Sequence, residues 1–578
     1  MQGVSSEVGA PSATFVISRI PEPIATANQP PPFEGRNLFA IDPALQGALL
    51  AHGGERARAE IDAWGTALGH ADTYALADAA NRNPPALRTH DRYGERIDDV
   101  VFHPAWHALM QRAMAVGEHC APWQASRPGA HVARAAMYYL HAQVENGTQC
   151  PLTMTFASLP VILRHADSLP GAADTWLPRL LANDYDPRAI PVENKRSALI
   201  GMGMTERQGG SDVRANVTFA EPDADGASRI TGHKWFFSAP QCDAHLVLAQ
   251  GQDGLGCFLL PRIAPDGRRN AIFIDRLKDK LGNRSNASAE VRFERALAWP
   301  VGESGRGIAT ILEMVQLTRL DCVIGSAGIM RGALTWAVHH ARHRSTFGRR
   351  LIDHPLMANV LADLALESEA AMHVALQLAR SQDDGGGTAL QAAARIVTPA
   401  AKYWVCKRAS TVTAEAMEAL GGNGYVEELP LARAYREAPV NSIWEGSGNI
   451  VSLDVLRAMR REPEAVDALQ ETLASARGAD RHYDAHLATL QALLRDAQDQ
   501  PGVARSVAQA IALAVSAAEL IRHAPPFVAA AFCESRLAAD RFGGAQFGML
   551  SPRTPCKEIL ARALDAGSGS EQQVGGLN

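Results

Sequence analysis

Between about residue 40 and residue 200 the apolar positions recur every three or four residues, the spacing that lines them along one side of a helix. In HVARAAMYYLHAQVE, for example, Val132, Ala136, Tyr139 and Ala142 fall near a single face. From about 201 to 300 the rhythm shortens: AHLVLAQ, GCFLLP, NAIFIDRL and SAEVRFE are apolar or alternating runs divided by Gly, Pro, Asp and Asn, which predicts strands. Helical spacing returns at Gly307 and holds to about 460, as in PLMANVLADLALESEAAMHVALQLAR, where Leu356, Val360 and Leu364 stand four apart. The Gly-rich DDGGGT at 383–388 joins two of these helices. Beyond 461 lies a further Ala- and Leu-rich stretch, closed by a Gly, Ser and Gln tail that reads as disordered.

The pattern predicts a mainly α protein with an inserted β domain. Its segments are an N-terminal flexible or wrapping arm (1–35), an α domain (36–200), a middle β domain (201–303), a helical bundle (304–460), an extra C-terminal α domain (461–565) and the tail (566–578). At 578 residues the chain exceeds what one core supports. Hydrophobic residues at 47% and charged residues at 20% exclude wholesale disorder and fibrous repeats. A formal net charge of -6 argues against a nucleic-acid binder that works through overall positive charge. Eight cysteines without a C-x-x-C pair suggest neither a zinc site nor a disulfide framework, and a reducing cytoplasm fits best. The first residues lack the basic start and apolar run of a signal peptide. Gln509, Ser516 and Glu519 interrupt the most membrane-like window, Val507 to Ile521, so no membrane segment is expected.

Several stretches could carry chemistry. GMGMTERQGGSDV (201–213) combines Gly with Thr205 and Ser211, a composition that lets amides and hydroxyls approach a flat polar ring or a phosphate; alone it reads equally well as a turn. In GHKWFFSAP, Trp235, Phe236 and Phe237 cannot all face one side of a strand, so at least one is expected in a cleft where a planar ligand can stack. GGNGY resembles a phosphate-cradling loop only loosely, because no strand precedes it. His339, His340 and His343 with Glu367 read as a solvated Arg-rich helix face, and no metal is expected. Finally, NSIWEGSGNI (441–450) sets one carboxylate, Glu445, between an aromatic and a run of small residues.

Taken in order, MTE…GSDV, GHKWFFS, LGNRSNASAEVRF, Arg344 with Phe347 and Gly348, ALGGNGY and IWEGS resemble the acyl-CoA dehydrogenase family. DDVVFHPAWHALM, RAAMYYLHAQVENGTQCPLTMTFA and EAPVNSIWEGSGNIVSLDVLR narrow the resemblance to its AidB-like branch of DNA alkylation-response flavoproteins. The resemblance implies a helical domain, a β domain, a helical bundle, bound FAD and a homotetramer. It implies that Met204, Thr205, Gly210 and Ser211 line the flavin, that Phe236 takes the place of a Trp on the ring, with Phe237 beside it, and that Ser238 takes the place of a Thr near N5. Arg344 and Phe347 would meet the FAD of a neighbouring subunit, and Ile443, Trp444, Gly446, Ser447, Gly448 and Asn449 would close over the flavin. Glu445 would be the catalytic base. An α-proton is too weakly acidic for a solvated carboxylate, so the base must be desolvated and the thioester oxygen held by hydrogen bonds.

The pattern departs from plain dehydrogenases at Trp444 (usually Tyr), Gln316 (commonly Asp, near the CoA), and Pro355, Glu418 and Asn449 (each commonly Gln). Two readings follow. In the first, the flavin pocket is kept, acyl-CoA oxidation is weak or lost, and the C-terminal helices bind double-stranded DNA in the alkylation-damage response. Arg457, Arg460 and Arg461 would contact the duplex, with Arg433 and Arg436 close in sequence; such a run otherwise reads as a solvated face. In the second, the chain is an active dehydrogenase of a branched or otherwise unusual acyl-CoA.

Overall fold

The computed structural model describes residues 28–383, 387–496, 500–541 and 544–564. Residues 1–27 of the expected N-terminal arm and the whole of the expected tail, 566–578, lie outside these residues. The N-terminal region holds helices α1 (Pro43–Ala51), α2 (Arg58–Gly69), α3 (Ala71–Arg82), α4 (Pro104–Ala115), α5 (Ala130–Ala142) and α6 (Gln149–Arg164), with a hairpin of β1 (Ala86–His90) and β2 (Arg96–Val101) after α3. Local chemistry sets the helix starts. Asp42 accepts the Leu45 amide at the start of α1, His103 that of Ala105 at α4, and a proline follows each cap.

The middle region is the expected β domain, formed by β3 (Ile200–Gly203), β4 (Phe219–Pro222), β5 (Ser228–Ser238), β6 (Ala244–Gly251), β7 (Gly254–Pro261), β8 (Ile272–Leu277) and β9 (Ser288–Val301). Strand β5 pairs antiparallel with β4 and β9, β9 with β7, and β7 with β6; β6 meets β4 in parallel, so the pairings close a ring. Strand β3 lies parallel against β6, which places the end of β3 next to the end of β5.

The bundle comprises α7 (Gly307–His343), α8 (Pro355–Arg380), α9 (Thr388–Ala419), α10 (Leu431–Asn441) and α11 (Gly448–Arg461), and α12 (Pro463–Ala474), α13 (Arg481–Asp496), α14 (Ala504–His523), α15 (Pro526–Leu537) and α16 (Cys556–Ala563) follow. Burial divides the chain differently from sequence order. One apolar cluster joins α1, α2 and α5 to the bundle and to α12–α16. A second joins α4 and α6 to the β domain and the first turns of α7. The N-terminal region thus serves two cores, and the segment after 461 shares the bundle's core. Helix α5, expected to bury one face, is buried on every side because α2, α7 and α8 pack around it. Leu356, in the first turn of α8, is exposed, whereas Leu364 two turns on is buried. Helix α14 is long and apolar enough to cross a membrane by length and composition, yet most of it is buried among other helices.

A buried ion network joins the C-terminal segment to the bundle. Arg536 on α15 donates to Asp363 (2.6 Å) and Glu367 (2.9 Å) on α8, and Arg408 and Trp404 on α9 also donate to Glu367. Glu367 is therefore committed to two arginines and a tryptophan, while His339 meets the Pro31 carbonyl at 2.8 Å.

Candidate active site

The chain leaves β3 at Gly203 and turns through Met204–Ser211 beside the end of β5. The Trp235 amide donates to the Thr205 carbonyl (2.8 Å), and Asn216 donates to the carbonyl of Met204 (3.0 Å). Beneath the turn, Lys234 is fully buried and donates to Glu206 (2.8 Å) and to the Leu248 carbonyl (2.8 Å), while Glu206 also accepts the amides of Val217 and Thr218. Burial pushes the Lys234 ammonium down to about 8 against the pull of Glu206. Burial would raise Glu206, but Lys234 and the surrounding donors hold it below its usual range. This pair fixes the turn from below. Above it, a Cβ at Gly210 would lie 2.4 Å from the Thr205 hydroxyl, so only glycine lets the loop fold over Thr205. Gly210 and Ser211 are exposed.

The three aromatics separate as strand geometry requires. Phe237 turns into the core, 1% exposed, and stacks on His245 at 3.9 Å; it backs the site rather than lining it, contrary to the expectation that it meets the cofactor. Phe236 is 51% exposed on the opposite side. Lys278 sits over Trp235 (3.8 Å) and Phe236 (4.6 Å). Ser238 ends the strand with its hydroxyl 3.5 Å from that of Ser288.

Glu445 stands in the link between α10 and α11 with φ 59°, a left-handed backbone uncommon for a residue with a side chain. The surroundings hold it there. Arg319 donates to the Glu445 carbonyl (3.0 Å), Lys402 to the carbonyls of Asn441 (3.0 Å) and Gly446 (2.9 Å), and the Trp444 indole to Asn441 (2.9 Å). The Thr318 hydroxyl donates to the carboxylate at 2.8 Å. Burial raises the Glu445 carboxyl above its usual range, opposed by Thr318, Lys402 and Arg319. Burial pushes the Cys150 thiol up to about 12, with Lys280, Asn286 and Ser238 opposing and the charge on Glu445 adding to the shift. Nearby Asn286 is 1% exposed. Phe236 and Ile443 (63% exposed) offer exposed apolar faces, and Met204, Thr205 and Ser238 are half-buried, a set that suits a planar heteroaromatic ring with a polar edge.

Sequence profiles divide the chain the same way. Residues 28–187 match the adaptive response protein AidB N-terminal domain, 201–296 the acyl-CoA dehydrogenase middle domain and 305–460 the acyl-CoA dehydrogenase C-terminal domain. A putative acyl-CoA dehydrogenase, AidB, of Escherichia coli is 48% identical over 89% of this chain and 94% of its own length. The chain belongs to the AidB-like branch of the acyl-CoA dehydrogenase family. Acyl-CoA dehydrogenase family member 11 of Caenorhabditis elegans is 29% identical over 78% of this chain and 77% of its own. The solved structure of ACDH-11 from the same organism, in complex with C11-CoA, superposes with a TM-score of 0.80 at 26% identity, covering 91% of this chain and 93% of that one.

In this member of the acyl-CoA dehydrogenase family, Ser447 stands at the N-cap position of α11, Gly448 opens the helix, and Asn449 accepts from Arg505 of α14 at 2.8 Å. Lys407 lies alongside, so two cations and a helix N-terminus meet at one corner, an arrangement suited to an anion. Arg344 and Phe347 lie elsewhere. Thr318 and Arg344 are 26 residues apart, and at 1.5 Å per residue α7 separates them by roughly 39 Å. Phe347 is 97% exposed there, at a hairpin tip. Arg457, Arg460 and Arg461 are exposed near the end of α11; Arg457 pairs with Asp454 (3.3 Å) and Arg460 donates to the Leu456 carbonyl (3.3 Å). Arg433 and Arg436 instead line a cleft of about 730 Å³ between α3, residues 277–288 and residues 427–436, which reaches the site through Asn286 and Ser288 but is not lined by Ser238 or Glu445. Sequence reasoning missed Cys150, Glu206, Lys234, Thr318, Arg319 and Lys402. For Arg319 and Lys402 the signal was present, an ionisable residue inside an otherwise apolar run, whereas Glu206 sits in the polar stretch TERQ.

Proposed function

We propose that this chain is an FAD-dependent dehydrogenase of acyl thioesters in which Glu445 removes the α-proton. The observation that carries the reading is the Glu445 carboxylate itself: drawn out of water, raised in basicity, aimed by the Thr318 hydroxyl and locked by Arg319 and Lys402. FAD supplies the acceptor for the hydride that leaves the β-carbon. Met204, Thr205, Ser211, Phe236 and Ser238 would hold the flavin, and Ser447–Asn449 with Lys407 and Arg505 suit its diphosphate. The proton goes to Glu445, and the thioester leaves with a new double bond. The acyl-CoA complex of the C. elegans relative supports an acyl-CoA substrate.

The length of α7 supports a further part of the reading. A flavin at Glu445 would be roughly 39 Å along α7 from Arg344 of the same chain, which supports the reading that Arg344 and Phe347 would serve a neighbouring copy in an oligomer. The test is an anaerobic absorbance titration with short, branched and long acyl-CoAs. Rapid bleaching of the flavin by at least one thioester, slowed about 100-fold or more in Glu445→Gln at unchanged flavin content, is expected. A flavin that stays oxidised with every thioester overturns it.

A second reading, double-stranded DNA binding within an alkylation-damage response, rests on a different observation. Arg460 and Arg461 present exposed side chains without an acidic partner among the described residues, at the junction of the bundle and the C-terminal segment. Salt-sensitive binding of a duplex by the assembled protein tests it.

A further inference from the structure

Far from the flavin site, where the last turn of α1 meets α8 and α14, three histidines and a glutamate are packed together. His52 caps α1, His373 lies on α8, and Glu519 and His523 stand four apart on one face of α14. His52 is 3% exposed, and His373 and Glu519 are fully buried. Neither ring nitrogen of His52 nor of His373 makes a hydrogen bond, and Glu519 Oε2 accepts none. Buried polar atoms in folded proteins are nearly always satisfied, and five in one place call for a missing partner.

The geometry points to a divalent metal ion held by His52, Glu519 and His523. Their ligand atoms lie within 4.8 Å of one another; His52 Nε2 is 3.3 Å and His523 Nε2 3.9 Å from Glu519 Oε2. Two nitrogen or oxygen ligands on one tetrahedral zinc are separated by about 3.3 Å, so the set needs only a small contraction around an ion, with water in the fourth position. The rest of the glutamate is already placed: Oε1 accepts from Gln377 (2.7 Å) and from Arg522, which leaves Oε2 turned toward the two imidazoles. Burial pushes both imidazoles below their usual range, with His373, Arg380 and Arg522 adding to the effect around His52. The partly exposed His523 gives an ion a way in. His373, whose ring centroid is 5.9 Å from that of His52, faces the set, and Glu369 with its partner Arg562 lies behind it. Such an ion would fasten the N-terminal region to the C-terminal segment.

The test uses the full-length, untagged flavoprotein, stripped with a chelator and titrated with Co²⁺, whose tetrahedral d–d bands fall to the red of flavin absorption. One Co²⁺ per chain with those bands, displaced by Zn²⁺ and raising the melting temperature, is expected; His523→Gln, at a partly exposed position, should abolish stoichiometric binding at unchanged flavin content, and His343→Gln should not. Absence of stoichiometric Co²⁺ and Zn²⁺ binding by the native chain overturns the assignment. So does binding that persists in both His523→Gln and His52→Gln.

Discussion

Glu437 lies on α10, one helix before the Glu445 link, and its fate differs from that of a neighbouring buried acid. Glu145 stays ionised because Ser285, Thr148 and two backbone amides donate to it. Glu437 has one donor, the Asn283 amide at 2.8 Å, and its second oxygen is unpaired. Burial, reinforced by the charge on Glu145, moves its carboxyl from 4.5 to about 7. Between those values the folded chain holds a proton that the unfolded chain has lost, so stability falls as pH rises, at about 1.4 kcal/mol per pH unit. Over the interval the loss is about 3 kcal/mol, complete above pH 7 and absent below 4.5. Glu437→Gln keeps the acceptor for Asn283 and removes the titration. Chemical denaturation should therefore find the variant more stable than the native protein by about 3 kcal/mol at pH 8, with the difference shrinking to nothing near pH 4.5. A difference that does not change with pH, or native stability higher at pH 8, refutes the argument.

Thr318→Val removes the donor that restrains the Glu445 carboxyl, so the acidic limb of the pH profile for flavin reduction by thioester should move to higher pH. Lys234→Met strands the Glu206 charge beneath the flavin loop. It should cost about 3–5 kcal/mol in denaturation and weaken FAD retention, and adding Glu206→Gln should recover part of the loss. If the exposed arginines hold phosphates, Arg460→Ala with Arg461→Ala should reduce the slope of log binding constant against log salt by about 2 in a duplex-binding assay.

The succession of helices, β domain and bundle was legible because the hydrophobic period changes at the boundaries, near residues 201 and 307. The candidate site residues were legible as a set of short motifs, and the structure joins two of them, the Met204–Ser211 turn and β5, through the Trp235 amide and the Thr205 carbonyl. What periodicity could not convey was partnership over long separations. Thr318 and Glu445 are 127 residues apart, and nothing in either local pattern marks the bond. Nothing in LGNRSN itself shows that its Gly is required by contact: a Cβ at Gly282 would lie 2.1 Å from the Arg436 carbonyl of α10. Phe237 and Phe236 are the same residue type in adjacent positions, and only the closed sheet decides which faces the core. The segment after 461 reads as a separate unit because its own helices are amphipathic, but their apolar faces are completed by α8 and α9.

The Arg536 network has a consequence for how such a chain can be cut, fused or inherited. A gene truncated after α11 would lose more than an appendage. It would leave Asp363 without its arginine, Glu367 with Arg408 and Trp404 alone, and an oily flank of the bundle open to water. Helix α9 carries Arg408 and Trp404 as well as Lys402, so a partner that grips the last hundred residues touches, through Glu367, the helix that holds the Glu445 link.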